Sequence, residues 1–284
     1  MRAERPRTIA LTGASSGIGT SAARNLVADG HRVIVIGRNS ERTNRVADEL
    51  DMPRYVADLD SLDSVRELAA SIRRDEPGLD TLANNAGGLV STRERTADGI
   101  ETTLQRNVVA PFLLANELAD VLGTDRGPDG NAGRVVVTSS AAHRFGHLAL
   151  DDLDRKRRPW FGGWPAYGAA KLGAILLTRQ FSARTGIDAY SFHPGIVVTN
   201  FGSESATMRV ASVVTGGSYG ISPEAGAVGL VRLAGDAEVD AKSGTYFDGL
   251  NPGVLSREAR DDGLGSALWE RLASRIDGRE ARVD

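Results

Sequence analysis

A doubly wound α/β fold, with a seven-stranded, mostly parallel sheet and helices on both faces, is predicted by three observations on this chain. Short β-branched runs alternate with longer helical patterns, a glycine-rich turn joins the first run to the first helix, and 284 residues suit one domain with a well-buried core. Parallel strands require crossover connections, and these are right-handed, so helices come to lie on both faces. A single domain over residues 1–284 is expected.

The strands are expected at residues 8–11, 32–36, 54–57, 81–83, 134–138, 188–192 and 245–247. Between them, helical patterns run at 18–29, 41–50, 61–74, 98–123, 166–185 and 223–234. Residues 255–284 form a helical extension, where Leu264, Leu268, Leu272 and Ile276 recur every four residues. That stripe suits packing against the body or a contact between copies of the chain.

Three segments break the alternation. Residues 124–133 are rich in Gly, Asp and Asn and read as a surface loop. Residues 144–164 are a long insertion whose Arg155-Lys156-Arg157-Arg158 run reads as a solvated loop rather than a phosphate or membrane contact. Residues 200–222 are small, polar and without period, which suits a lid.

Composition narrows the function. Thirty-four Lys and Arg against 37 Asp and Glu leave a net charge of −3, with no basic footprint for nucleic acid. The absence of cysteine excludes disulfides, thiolate nucleophiles and cysteine-held zinc. The four histidines stand apart, so no metal site is expected. Residues 1–8 show no signal or transit peptide, and no apolar run approaches the ~20 residues of a membrane span, so a cytoplasmic location is expected.

The turn Gly13-Ala14-Ser15-Ser16-Gly17-Ile18-Gly19 lies between a strand and a helix, the context in which glycines let a backbone approach a pyrophosphate. About 20 residues further on, where an acid would bond a ribose 2′-OH, the chain reads Gly37-Arg38-Asn39. Gly37 cannot repel a 2′-phosphate and Arg38 can pair with one, so NADP(H) is expected in preference to NAD(H).

Tyr167 and Lys171 are four residues apart in a helical pattern and so share a face. A phenol with an ordinary pKa of ~10 becomes a usable acid near neutrality when a cation stabilises its anion. Lys171 is placed to be that cation.

These motifs, with Asn84-Asn85-Ala86-Gly87, Ser140 and Pro194-Gly195, make the chain resemble the short-chain dehydrogenase/reductase family over about residues 7–250. The similarity is greatest to its retinol-dehydrogenase-like branch, through Asp151-Asp152-Leu153, Phe192-His193-Pro194-Gly195 and Gly244-Thr245-Tyr246-Phe247. The resemblance implies a Rossmann fold and hydride exchange between a nicotinamide and a small-molecule carbonyl or alcohol, and a homodimer or homotetramer is expected. It implies that Tyr167 is the acid/base and that Lys171 lowers its pKa and holds the nicotinamide ribose. Ser140 would orient the carbonyl, with Ser139 as the competing serine, and Asn107 would anchor a water chain. Cofactor contacts are implied at Gly13, Ser15, Ser16, Gly17, Ile18, Gly19, Arg38, Asp58, Leu59, Asn84, Asn85, Ala86, Gly87, Tyr167, Lys171, Pro194, Gly195, Val197 and Thr199. His193 reads as a strand-end packing residue, whereas Trp160, Phe161, Trp164 and Phe201 line either the cleft or the core of their own loops.

Two rivals stand beside this reading. A nucleotide-sugar epimerase or dehydratase would stand on the related extended fold, but the shorter chain, the glycine spacing and the Asn-Asn-Ala-Gly turn argue against it. A non-catalytic NADP(H) sensor would have no need of Tyr167 and Lys171 together.

Overall fold

The computed structural model describes residues 5–123, 133–195 and 220–278. One eight-stranded sheet runs through them in the order β3-β2-β1-β4-β5-β6-β7-β8. Its strands are β1 (Thr8–Thr12), β2 (Arg32–Gly37), β3 (Arg54–Val56), β4 (Thr81–Asn84), β5 (Arg134–Thr138), β6 (Asp188–His193), β7 (Tyr246–Asp248) and β8 (Asn251–Pro252). The first seven are parallel to one another, as expected, and the eighth corrects the predicted count. It is a two-residue strand antiparallel to β7, too short to show a sequence period.

The central strands are apolar on both sides because both sides are covered. On one side, Leu11, Val33, Val35, Tyr190 and Phe192 pack with α1 (Gly17–Ala28), α2 (Ser40–Leu50) and the helix Pro223–Gly235. On the other, Ala10, Ile34, Leu82 and Val135 meet α3 (Leu62–Asp75) and the long helix Trp164–Thr185. Helix starts are marked by local capping: Asn39, Ser61, Ser222 and Asp261 each accept a backbone N–H from the first turn.

The expected helix over 98–123 is broken into pieces. Glu101 is bridged to Arg95, and α4 (Thr102–Leu104) follows with Glu101 as its cap. Residues Gln105–Val109 form a π-helical turn before α5 (Ala110–Glu117), and α6 (Ala119–Gly123) is a separate short turn. Such an insertion re-aims side chains inside an otherwise continuous helix, and here it carries Asn107. Then come α7 (Trp164–Thr185), α8 (Pro223–Gly235) and α9 (Asp262–Ile276).

The stripe on α9 packs against the body. Leu268 and Leu272 are fully buried, and Trp269 meets Phe112 edge-on at 4.7 Å between ring centroids. The insertion 144–164 is likewise tied down: Arg93 donates to the carbonyls of Lys156 (3.2 Å) and Arg158 (2.5 Å), and Asp154 pairs with Arg275 of α9 at 2.8 Å. Within its basic run Lys156 and Arg157 are exposed, with Arg157 paired to Asp151 at 2.6 Å, whereas Arg155 is partly buried and its Nε has no hydrogen-bond partner among the described residues. The loop expected at 124–133 lies almost wholly outside the described residues, as do Val197, Thr199, Phe201 and the expected lid up to residue 219.

Candidate active site

The carboxyl ends of β1, β4 and β5 meet at the topological switch point, where doubly wound sheets bind ligands. Three side chains knit these ends together. Thr12 Oγ1 accepts from the backbone N–H groups of Asn85 and Ala86, each at 3.0 Å, and Asn85 Nδ2 donates to the Thr12 carbonyl at 3.2 Å. Thr138 Oγ1 donates to Asn85 Oδ1 at 3.2 Å. Neither threonine was singled out in the sequence. Their position at the ends of neighbouring parallel strands is the signal that could have found them.

The glycine turn is shaped for close backbone approach. Gly13 and Gly17 have φ of +70° and +53°, left-handed values that favour glycine. A Cβ on Gly19 would lie 2.1 Å from the Gly13 carbonyl oxygen, so only glycine lets the first turn of α1 close against the loop. Ser16 occupies the N-cap position without making a side-chain cap, so the first-turn N–H groups receive no bond from that residue's hydroxyl. Ser15 is buried in the loop, and Ile18 packs partly against the α1 side of the core. Uncapped N–H groups beside left-handed glycines fit the pyrophosphate of a dinucleotide.

At the adenosine end the local contacts are more mixed. Asp58 Oδ1 accepts from the Asp60 N–H at 3.1 Å, an Asx-type turn, and Leu59 is buried in the core. Arg38 is 61% exposed along its side chain and reaches Asp60 at 3.3 Å. Asn84 turns away from the cleft, donating to the Pro111 carbonyl at 3.3 Å. At the far side, Gly195 has φ +89°, and Pro194 precedes it at the end of β6.

The reacting end is assembled by α7. Pro165 opens this helix and Gly186 closes it in a left-handed conformation. Tyr167 and Lys171 lie on its buried face, Tyr167 hydrogen-bonded to Ser140 and edge-on to Trp164. Ser139 is occupied differently: its hydroxyl donates to the Lys171 carbonyl at 2.9 Å. The geometry therefore separates the two serines, since only the second faces the phenol.

Lys171 Nζ donates to the Thr138 carbonyl at 2.8 Å and stands 5.5 Å from the Tyr167 ring centroid. Burial pushes its ammonium down to about 7. Burial also pushes the Tyr167 hydroxyl above its ordinary 10, with the Ser140 hydrogen bond acting the other way. This reverses the expected direction for the phenol. Low dielectric penalises both charged forms here, and the one hydrogen bond that lowers the phenol comes from Ser140 rather than Lys171.

Asn107 completes the cluster from the π-helical turn. Its Oδ1 accepts from the Gly88 N–H at 3.0 Å, while Nδ2 donates to the carbonyls of Gly88 and Thr103, both at 2.8 Å. Gly87 has no side chain to intrude: a Cβ there would fall 2.5 Å from Asn107 Oδ1 and 3.4 Å from Lys171 Nζ. Among the expected cleft aromatics, Trp160 is fastened by its N–H to the Ser91 carbonyl at 2.6 Å, whereas Phe161 is 75% exposed. Phe145, not anticipated, lies against Gly168, where a Cβ would meet its ring at 3.0 Å, and is 61% exposed. His193 has a buried Nδ1 with no hydrogen-bond partner among the described residues.

The pattern described as short chain dehydrogenase matches residues 7–151. The chain belongs to the short-chain dehydrogenase family. Over 277 residues it is 34% identical to "Putative daunorubicin C-13 ketoreductase DnrU" of Streptomyces sp. (strain C5), covering 95% of this chain and 92% of that one. It is 33% identical to retinol dehydrogenase 13 of Homo sapiens over 290 residues, covering 97% and 86%. A short chain dehydrogenase of Shigella flexneri 2a, crystallised with NADP, superposes with a TM-score of 0.62 at 26% identity, covering 86% of this chain and 96% of that one. The short-chain dehydrogenase described here thus falls in the retinol-dehydrogenase-like branch, as an oxidoreductase acting on CH–OH and C=O groups. Among its described residues no helix is long and apolar enough to cross a membrane.

Proposed function

We propose that this enzyme is an NADP(H)-dependent reductase of a ketone or aldehyde, its substrate lipophilic or a secondary metabolite. The observation that carries the reading is the Ser140–Tyr167–Lys171 arrangement at the end of β5, with Tyr167 and Lys171 buried and Lys171 joined to the strand at Thr138. Bound NADPH supplies the hydride, and this chain's own groups supply the rest. The glycine turn and the uncapped start of α1 suit the pyrophosphate, and Arg38 suits a 2′-phosphate. A buried Tyr167 whose pKa is raised holds its proton at neutral pH, which makes its hydroxyl a donor toward a carbonyl oxygen. Ser140, already bonded to that hydroxyl, orients the same oxygen. Lys171, with its pKa near 7, can exchange a proton close to physiological pH.

Two further features support the substrate class. Trp164, edge-on to Tyr167, sets apolar surface beside the phenol, and Phe145 of the insertion 144–164 is an exposed aromatic against Gly168 of the same helix. The relatives named above carry the names of a ketoreductase and a retinol dehydrogenase. The insertion 144–164 is taken as one wall of the substrate site.

The test is a panel of ketones, aldehydes and alcohols supplied with NADPH or NADH and followed by absorbance of the reduced cofactor. Carbonyl-dependent oxidation of NADPH is expected. Tyr167→Phe should lower its rate at least ~100-fold, the lower bound for losing a general acid, with NADPH affinity kept. NADPH binding without turnover of any carbonyl, in wild type and variant alike, would instead make the chain a sensor.

A further inference from the structure

Asp60 takes no part in the chemistry above, yet it holds the one cation assigned to the 2′-phosphate. Its carboxylate lies between two arginines. Arg106, from the π-helical turn, engages it with Nε at 3.0 Å and Nη2 at 2.5 Å. Arg38 reaches it from the end of β2 through a single nitrogen at 3.3 Å. Asp60 and Arg106 are mostly covered, with side-chain exposures of 19% and 24%, whereas Arg38 is 61% exposed. The tighter, two-pronged bond thus belongs to Arg106, and Arg38 is held loosely at the open end.

This arrangement replaces the usual place for discrimination. An acid at position 37 has no room, because a Cβ on Gly37 would lie 2.4 Å from Thr43 Oγ1 and 2.6 Å from Ser15 Oγ. With Arg38 as the favouring charge, the opposing charge must come from a neighbouring element, and Asp60, paired with Arg106, supplies it. A carboxylate within reach of Arg38 competes with phosphate for the same guanidinium and repels it. Arg106 offsets that repulsion by neutralising the carboxylate from the buried side.

We propose that Asp60, balanced by Arg106, is a specificity-determining pair that sets how strongly this enzyme prefers NADP(H) over NAD(H). The inference rests on the assignment of Arg38 to the 2′-phosphate. Removing the carboxylate should strengthen NADPH binding, and removing its buried partner should weaken it. Neither change should alter NADH binding, because NADH presents no phosphate to this corner.

Fluorescence titration of NADPH and NADH against wild type, Asp60→Asn, Asp60→Ser and Arg106→Met tests this, with melting curves to confirm that each variant is folded. Both Asp60 variants should tighten NADPH by ~3-fold, the scale of a partly exposed ion pair, and Arg106→Met should loosen it by a similar factor. The changes should shrink with added salt. Opposite movements of the NADPH-to-NADH ratio are the signature, because a purely structural role would shift both cofactors together. A constant ratio across these variants, in an enzyme whose preference Arg38→Asp does reverse, overturns the Asp60 inference alone. A wild type that favours NADH, unmoved by Arg38→Asp, overturns the Arg38 assignment and this inference with it.

Discussion

Replacing Lys171 with methionine should make the free enzyme more stable near neutral pH while destroying its activity. The side chain is 4% exposed and its ammonium is pushed from 10.5 to about 7 by burial. Each tenfold change in proton affinity is worth ~1.36 kcal/mol, so the buried charge opposes folding by roughly 5 kcal/mol wherever it is protonated in both states. The bond from Nζ to the Thr138 carbonyl returns part of this, about 1.5–3 kcal/mol for a charged donor. A methionine of similar length should therefore stabilise the protein by about 2 kcal/mol at pH 6.5. The gain must depend on pH in one direction. Between about 7 and 10.5 the unfolded chain binds a proton that the folded lysine does not, so wild-type stability rises by ~1.36 kcal/mol per pH unit, and the advantage of the variant is gone by about pH 8.5 and reversed at pH 9.5. Urea unfolding of both proteins at pH 6.5, 8 and 9.5 measures this. A variant that is less stable than wild type by the same amount at all three values would show that Lys171 is not held as a desolvated cation, and the reasoning would fail.

Arg38→Asp should turn cofactor preference from NADP(H) toward NAD(H) by roughly one to two orders of magnitude, the equivalent of a charge-assisted hydrogen bond, as read by titration of both cofactors. Asn107→Leu leaves one buried N–H and two carbonyls without its side chain, so about 2–5 kcal/mol of stability should be lost in urea unfolding, more than its small change of volume explains. Gly19→Ala places a methyl 2.1 Å from the Gly13 oxygen; the turn must open, NADPH affinity should fall at least ~10-fold by titration, and stability should drop by about 1–3 kcal/mol. Unchanged NADPH binding in Gly19→Ala would mean that the turn does not seat the pyrophosphate.

Most of the architecture was legible because it rests on local rules. Strands β1, β2 and β5 announce themselves as β-branched runs, and seven of the eight strands fall where those runs lie. The missed β8 has two residues, one a proline, and exists only because β7 turns back on itself. The broken helix before β5 was missed for a related reason: a π-helical turn keeps the apolar content of an α-helix and changes only its register. In the candidate site, Tyr167 and Lys171 could be paired by helical spacing and the glycine turn by its spacing of three glycines. Asn84 could not be sorted from Asn85 in sequence, yet one turns to Pro111 and the other ties β1 to β5.

The sequence by itself determined the order of strands and helices, the glycine turn and the presence of a phenol and an amine one helical turn apart, since each depends on residues adjacent or nearly adjacent in the chain. Tertiary structure decided what surrounds them. It placed Ser140 rather than Ser139 against the phenol, anchored Lys171 to the Thr138 carbonyl, and brought Arg106 across 46 residues to share Asp60 with Arg38. Burial then raised the proton affinity of Tyr167 and lowered that of Lys171, directions that helical spacing alone could not reveal. Hydrogen-bond partners and dielectric surroundings are properties of packed neighbours, and those neighbours meet only when the parallel strands of the sheet come side by side.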